Sequence, residues 1–593
     1  MSRNAEVAAL LEEFADRLEA RDVEYKPRAY RRAAENVRAA DAAVEGLAEE
    51  GPDAVAEIDR VGDAIAAKIV EYLETGEIAE LEDLREEMPA DIEALTRVEG
   101  VGPKTVGTLY AELGIETLDD LEAAAREGEI REVSGFGPKT EQNILDNIDF
   151  AREAHERELL GEARPYGDRV RDFVAGLDGV AEAALAGSLR RWRPTIGDVD
   201  VLAATEDPEP VVAAFTDWEE ADEVVEAGET KASVRTDGFG IDLRLVVPEE
   251  FGSALQYFTG SKAHNVTLRN RAIDRDLKVN EYGVFRQARS ASGSRTQSDD
   301  DVSDADEEGQ RAGERVAGET EESMYAALDL PWIPPELRED RGEVAAAAAG
   351  ELPDLVETGD VRGDLHTHTE WSDGNHSIAE MAEGAAAFGH EYLAVTDHAT
   401  GPGMVGGVGL DDEALREQLA AVREADDDAD VTLLAGVEAN VTADGDVSVG
   451  DDVLADLDLV VASPHAGLDG DGTDRLVSAV EHPHVDVLGH PTGRLLNQRS
   501  GLDVSVERLA AAAADAGVAL EVNSDPRRLD LDGGAVKTAI EAGATVVVNT
   551  DAHRPGTFEN VRYGVHTARR GWAEAGDVLN ARDADGVRSF LGL

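Results

Sequence analysis

Seven apolar runs in the last third of the chain each end on a residue able to hold a metal ion or a phosphate. They are 361–365, leading into His366 and His368; 392–396, into Asp397 and His398; 431–437, into Glu438; and 457–462, into His465. The other three are 485–488, into His490; 518–522, into Asn523; and 544–548, into Asp551 and His553. Helix-like stretches separate most of them, and that alternation predicts a parallel β/α barrel. In such barrels the active-site groups project from the carboxyl ends of the strands. Of 13 histidines, 11 lie after position 360, so chance placement at seven strand ends is a poor explanation. Six of them with Glu438, Asp551 and Asp373 are too many ligands for one ion. The set predicts two or three divalent metals, whose natural chemistry is phosphoester hydrolysis. His376, His390, His482, His484 and His566 close no strand and are expected to stand aside.

The remaining two thirds must hold several more cores, because 593 residues imply about four domains. Cysteine is absent, which excludes disulfides, thiolate zinc sites and a cysteine nucleophile. The start is polar and amphipathic and no run approaches the ~18 apolar residues of a membrane span, so a soluble, cytoplasmic monomer is expected. Net charge is −72, and only eight of the 55 basic residues are lysine. Acidity spread through every segment resembles the surface of proteins adapted to molar salt, where Asp and Glu serve solvation. It does not exclude nucleic acid, since counterion release contributes little at such salt.

Near the N-terminus, Val7, Leu10, Leu11, Phe14 and Leu18 share one helical face. Helical periodicity continues to about residue 150 and contains a repeat: Val98-Glu99-Gly100-Val101-Gly102-Pro103-Lys104 and Val133-Ser134-Gly135-Phe136-Gly137-Pro138-Lys139. A weaker copy is Ile58-Asp59-Arg60-Val61-Gly62-Asp63. An apolar residue, G-x-G and a helix start describe a helix–hairpin–helix, whose backbone N–H groups meet a DNA phosphate with few cations. Lys26 with Arg31 or Arg32 suggests a 5′-phosphate pocket, and Lys68 an amine near a sugar; either lysine could equally be a solvated surface residue.

In the middle, Gly187-Ser188-Leu189-Arg190-Arg191 precedes Ile196-Gly197-Asp198-Val199-Asp200-Val201-Leu202. Alternation puts Asp198 and Asp200 on one face of a strand, and Asp242 lies in a second apolar strand, Gly240-Ile241-Asp242-Leu243-Arg244-Leu245. Three carboxylates on two strands can hold two Mg²⁺ or Mn²⁺ ions. The Gly187-Ser188 turn suits a triphosphate, with Arg191 as its clamp.

These residues, followed by Tyr257-Phe258-Thr259-Gly260-Ser261-Lys262-Ala263-His264-Asn265 and Arg269, resemble a family X DNA polymerase. The C-terminal segment resembles a PHP (polymerase and histidinol phosphatase) domain, through Asp364-Leu365-His366-Thr367-His368, Ser372-Asp373-Gly374, Thr396-Asp397-His398, Gly489-His490-Pro491 and Asp551-Ala552-His553. That order resembles the bacterial and archaeal PolX type. The resemblance implies that Asp198, Asp200 and Asp242 are the catalytic metal ligands and that Gly187, Ser188, Arg191, Gly197 and Gly260 serve the nucleotide. It places Tyr257 and Phe258 against the deoxyribose, and Asn265 with Arg269 facing the nascent base pair. For the barrel it implies Mn²⁺ or Zn²⁺: one ion on His366, His368, Glu438 and Asp551, a second on Asp373, His398 and His553, a third sharing Glu438 with His465 and His490.

The expected architecture is multidomain: a helical helix–hairpin–helix region, an α+β nucleotidyltransferase-like palm and thumb, and a distorted (β/α)7 PHP barrel. Its boundaries are a DNA-binding domain at 1–80, fingers at 81–150, palm at 151–249, thumb at 250–335 with a disordered acidic insertion at 288–319, a linker at 336–358 and the barrel at 359–593. DNA contacts are expected from Lys26, Arg31, Lys68, Gly100, Gly102, Lys104, Gly135, Gly137 and Lys139. The expected function is template-directed filling of short gaps from dNTPs on gapped or nicked double-stranded DNA, with a 3′→5′ exonuclease in the barrel and the possibility of lyase or abasic-site cleavage. Two departures from the family stand out. Asp63 and Ala64 replace the usual polar and basic pair near the lyase position, and Trp192 occupies a place that is often glycine. The alternatives are a barrel phosphatase beside a decayed polymerase half, and a non-catalytic DNA-binding scaffold with structural metals.

Overall fold

The computed structural model describes residues 3–23, 26–40, 42–58, 60–98, 100–155, 157–236, 239–286, 310–404 and 408–593. They divide into two units: Met1–Arg157 with Asn497–Arg499, and Glu158–Leu496 with Ser500–Leu593. No helix among the described residues is long and apolar enough to cross a membrane.

Between residues 3 and 155 the described residues of the first unit form helices joined by short turns. Val7, Leu11, Phe14 and Leu18 are buried along the helix Asn4–Ala20, and Phe14 stacks on Tyr30 with ring centroids 4.5 Å apart. A second core gathers Leu95, Val98, Leu109, Leu121 and Ile144 under the second and third hairpins.

The second unit holds a five-stranded sheet, a three-stranded sheet and a seven-stranded parallel sheet. In the five-stranded sheet the order is Val180–Leu185, Asp198–Thr205, Phe239–Val246, Lys231–Thr236, Glu223–Ala227. Its two central strands, Asp198–Thr205 and Phe239–Val246, run parallel, with Asp200 opposite Asp242 and Asp198 opposite Gly240. Val199, Val201, Ile241 and Leu243 are buried on the far face, so alternation turns the three carboxylates together toward the other.

The three-stranded sheet pairs Leu277–Asn280, Gly283–Arg286 and Glu314–Ala317 antiparallel. This corrects the end of the expected disordered insertion. Residues 287–309 lie outside the described residues, but 310–319 are ordered. Arg315 and Ala317 pair with Phe285 and Val284, and Arg311 bonds Glu250 at 2.7 Å. An edge strand takes its backbone hydrogen bonds from a buried neighbour, so a polar run can form one without an apolar face of its own. The expected linker at 336–358 is also packed. Leu337, Val344, Ala347 and Leu355 are buried with Leu268, Val279 and Tyr325, because its alanine run forms the helix Glu343–Ala349.

The seven strands of the parallel sheet follow sequence order: Gly363–Asp364, Tyr392–Val395, Thr432–Asn440, Leu459–Ser463, Val487–Leu488, Ala519–Asn523 and Val546–Asn549. Each falls within or at the end of one apolar run. Leu365, Ala394, Leu434, Val461, Val487, Ala519 and Val547 fill the interior. At the seam Asn549 Oδ1 accepts from Leu365 N at 3.1 Å and His368 N donates to Ala552 O at 2.8 Å, so first and last strands meet in a nearly closed barrel.

Candidate functional site

Two clusters of titratable groups stand out in the second unit. The first is the acidic trio. Asp198 is exposed and Asp200 and Asp242 are half-buried; the Ser233 hydroxyl donates to Asp242 Oδ1 at 2.5 Å. Gly187 closes the space over Asp200: its φ is +58°, and a Cβ there would sit 1.9 Å from Asp200 Oδ2. A Cβ on Gly240 would likewise come within 2.7 Å of Asp198 Oδ1. Burial, and then the charges of Asp242 and Asp198, push Asp200 up to about 7, against the pull of Arg191 and Arg244. A carboxylate so reluctant to ionise beside two others is the donor set that a divalent cation relieves.

Of the nucleotide candidates, Gly187, Gly197 and Arg191 lie beside the trio. Ser188 lies on the turn Gly187–Arg190, and Gly197 immediately precedes Asp198. Arg191 donates from Nη1 to the Thr259 carbonyl, next to Gly260, and from Nε to Glu339 Oε1 at 3.0 Å. Asn265 donates to the Tyr257 carbonyl at 2.8 Å. Arg244 lies 4.8 Å from the Phe258 ring, which Tyr257 meets edge-on. Arg269 follows Asn265 by one turn of the helix Lys262–Ile273.

The second cluster sits at the carboxyl end of the barrel and brings all nine expected ligands together. Three overlapping groups have ligand atoms within 4.8 Å of one another: His368 with Asp373, His398 and His553; His366 with His368 and Glu438; His398 with Glu438 and His465. Asp551 joins through His368 Nε2 at 3.1 Å and His490 through Glu438 Oε1 at 3.0 Å. Glu438 is the hub, with His366 and His465 each 3.3 Å from its Oε1. Burial opposes its charge, yet His398, His465 and His366 hold it well below the ordinary carboxylate range. His366 Nε2, both ring nitrogens of His368 and His465 Nε2 are buried without a hydrogen-bond partner among the described residues. Orphaned imidazole lone pairs facing carboxylates fit divalent metals. Two ligands also sit in left-handed backbone, Asp551 at φ +56° and His490 at +25°.

Several supporting residues escaped the sequence reading. The Glu521 carboxylate accepts from His366 Nδ1 at 2.8 Å and from His490 N at 2.7 Å. Asn440 holds His465 Nδ1 at 2.8 Å. Each fixes one ring nitrogen so that the other faces the cluster. Asp397, a strand-end residue, points away from the ligands and takes Thr369 N and Oγ1 at 2.7 and 2.6 Å, pinning the loop that carries Asp373. Arg528 lies on the rim with Nε 3.9 Å from Asp551 Oδ2. The signal for Glu521 was available: it is a carboxylate two residues before Asn523 on the same strand face. The five histidines expected to stand aside lie outside the metal groups. His390 packs against Phe388 and Phe558, and burial pushes it down to about 4.

Trp192 acquires a physical account. It sits at φ +53°, where glycine costs least. Its ring stacks on His566 at 3.5 Å and lies under Arg164 at 4.2 Å.

In the helical unit the hairpins have one geometry. Val101 N, Phe136 N and Val61 N each return to the carbonyl three residues back, at 2.9, 3.1 and 3.1 Å. Gly100 and Gly135 take φ +82° and +97°, and Arg60 takes +60° at the matching point of the weak copy. Helices start at Pro103, Pro138 and Asp63; Gly102 and Gly62 are N-caps without a side-chain cap, leaving first-turn N–H groups for an anion. Gly137 holds the corresponding place before Pro138. Lys26 and Lys139 are exposed, and Lys104 reaches Asp22 at 3.2 Å. Arg31 is held by Asp16 and Glu19 at 2.6 and 2.5 Å, and Arg32 is exposed beside it. Lys68 is bound to Glu80 at 2.6 Å, over the Phe14 ring.

An acidic trio of this register, helix–hairpin–helix repeats and a histidine-ringed barrel define a nucleotidyltransferase joined to a metallophosphoesterase. Family models match four segments: a helix-hairpin-helix domain over residues 2–78, a SAM-like helix-hairpin-helix tandem over 92–149, a DNA polymerase beta thumb over 254–339 and a PHP domain over 364–525. The DNA polymerase/3'-5' exonuclease PolX of Bacillus subtilis is 33% identical over 594 residues, covering 99% of both chains. Partial relatives are DNA polymerase lambda of Rattus norvegicus, 26% identical over 48% of each chain, and a probable phosphatase of Shewanella sp. (strain MR-4), 30% identical over 32% of this chain and 75% of its own. The chain belongs to the PolX type of family X DNA polymerases, with a C-terminal PHP domain.

Proposed function

We propose that this protein fills short gaps in double-stranded DNA from dNTPs at the acidic trio and removes 3′ nucleotides at the barrel. The observation that carries the reading is the register of Asp200 with Asp242, beside the turn bearing Ser188 and Arg191, in a chain matching its PolX relative from end to end. Asp198, Asp200 and Asp242 would hold Mg²⁺ or Mn²⁺, which when bound acidify the primer hydroxyl and screen the triphosphate. Ser188 and Arg191 bind that triphosphate, Tyr257 and Phe258 exclude water from the sugar, and Asn265 with Arg269 face the new base pair.

In the barrel, His366, His368, Glu438 and Asp551 would hold one Mn²⁺ or Zn²⁺, Asp373, His398 and His553 a second, and Glu438 with His465 and His490 a third. Glu521 and Asn440 fix the imidazole orientations, and Arg528 takes a free oxygen of the scissile phosphodiester. The hairpins at Gly100, Gly102 and Lys104 and at Gly135, Gly137 and Lys139 bind phosphates of the flanking duplex, with Lys26 near the 5′ end. Lys68 is paired with the half-exposed Glu80.

The test is a gapped, 5′-labelled duplex incubated with and without dNTPs. Asp198→Ala abolishes extension and keeps 3′ shortening; His366→Ala does the reverse. Unchanged extension by Asp198→Ala rejects the polymerase assignment.

A further inference from the structure

We propose that the barrel holds the nucleotide turn of the palm in place, with Arg570 as the positioning residue. The inference rests on the reading of Arg191 as the triphosphate clamp. One helix, Val561–Arg570, meets the turn at two points. Arg570 Nη1 donates to the Arg191 carbonyl at 2.7 Å and to Glu339 Oε1 at 3.0 Å. That same oxygen takes Arg191 Nε at 3.0 Å, and Arg193 Nη1 lies 3.4 Å from Glu339 Oε2. One turn earlier on the helix, His566 lies flat against Trp192, with ring planes 6° apart. His566 is itself held by Glu336 at 2.8 Å, which Arg569 also engages at 2.8 Å.

Each contact has a consequence for Arg191. Glu339 is shared between guanidinium groups, so its charge is divided between the barrel and the palm. With Arg570 gone, Glu339 turns its full attraction on Arg191 and competes with an incoming triphosphate for it. The Arg191 carbonyl also loses its tether. Both effects weaken nucleotide binding, and neither touches the exonuclease ligands. Arg570 is 7% exposed and reaches no reacting atom, so it acts through Arg191. Trp192 gives the second anchor. Its left-handed backbone is unfavourable for a side chain, and stacking on His566 and Arg164 offsets that cost.

The experiment compares single-nucleotide gap filling and 3′ excision by the full-length, metal-loaded wild type and its Arg570→Ala, Arg570→Lys and Trp192→Gly variants. In Arg570→Ala the KM for dNTP rises about tenfold with kcat little changed. Arg570→Lys recovers part of the loss, and excision stays at the wild-type rate. Trp192→Gly, which keeps the backbone and loses the stack, raises KM about threefold. An unchanged KM in Arg570→Ala overturns the proposal, as does an equal fall of both activities with a lowered melting temperature. A wild type that binds gapped DNA but incorporates nothing sinks the polymerase reading, and this inference with it.

Discussion

The palm and the barrel gather negative charge in opposite ways. In the palm three carboxylates stand at a partly open surface without a histidine among them, and burial beside Asp242 and Asp198 pushes Asp200 up to about 7. In the barrel Glu438 is fully buried, and imidazoles surround it on several sides. An all-oxygen, open trio suits an ion that arrives with each nucleotide and leaves with pyrophosphate. A closed shell with nitrogen ligands and fixed ring orientations suits ions that stay. The contrast predicts one exchangeable centre and one resident centre in a single chain.

The largest expected effect that sharpens this contrast comes from Gly187→Ala. A methyl 1.9 Å from Asp200 Oδ2, on a backbone at φ +58°, must displace the carboxylate or the turn. Nucleotide incorporation should fall by at least about a hundredfold while 3′ excision persists. Equal rates for wild type and variant in primer extension would show that the turn does not abut the reacting centre. Metal removal follows. After brief chelation and desalting, elemental analysis should find the barrel still holding on the order of two ions and the palm none. Exhaustive chelation should then lower the melting temperature, and the loss should be absent in a His366→Ala/Glu438→Ala variant that never loaded. If both centres empty at the same rate, the division into resident and exchangeable ions fails. Next in size is Glu521→Gln, which keeps the shape and removes the charge behind His366. Excision should drop about 10- to 100-fold with gap filling unaffected.

The strand-end ligands were legible because a β/α barrel obliges each strand to deliver its last residues to one face, so local pattern and global site coincide. The register of Asp200 with Asp242 was half legible: alternation put each carboxylate on a face, but only sheet pairing made them neighbours. Glu339 and Arg570 were opaque, since 231 residues separate two groups that meet at 3.0 Å. Arg60 misled for a different reason. The copy at 58–63 reads as weaker in the sequence, yet its turn holds an arginine at φ +60° where the other two have glycine. Composition misled at 310–319, where a polar strand borrows its order from Val284 and Phe285.

The smallest expected effect concerns acid. Six imidazoles among the barrel candidates must be neutral to bind metal, whereas the palm trio has none, so lowering pH should empty the barrel through its imidazoles. That loss would be confounded by unfolding, because His390 is buried beside Phe388 and Phe558 with its imidazole pushed down to about 4. Its ordinary value is ~6.5, so between these two values the unfolded chain binds a proton that the folded chain refuses. The associated stability is complete above pH ~6.5, declines as pH falls toward 4 and reaches a floor there, a difference of at most about 3 kcal/mol. His390→Phe removes this titration without disturbing a ligand. Its melting temperature should therefore fall less than that of the wild type between pH ~7 and ~5, while metal release from the barrel keeps its pH midpoint. If the variant shifts the midpoint of metal release as well, acid acts on the barrel as a whole, and the two centres differ in their scaffolds rather than in their ligands.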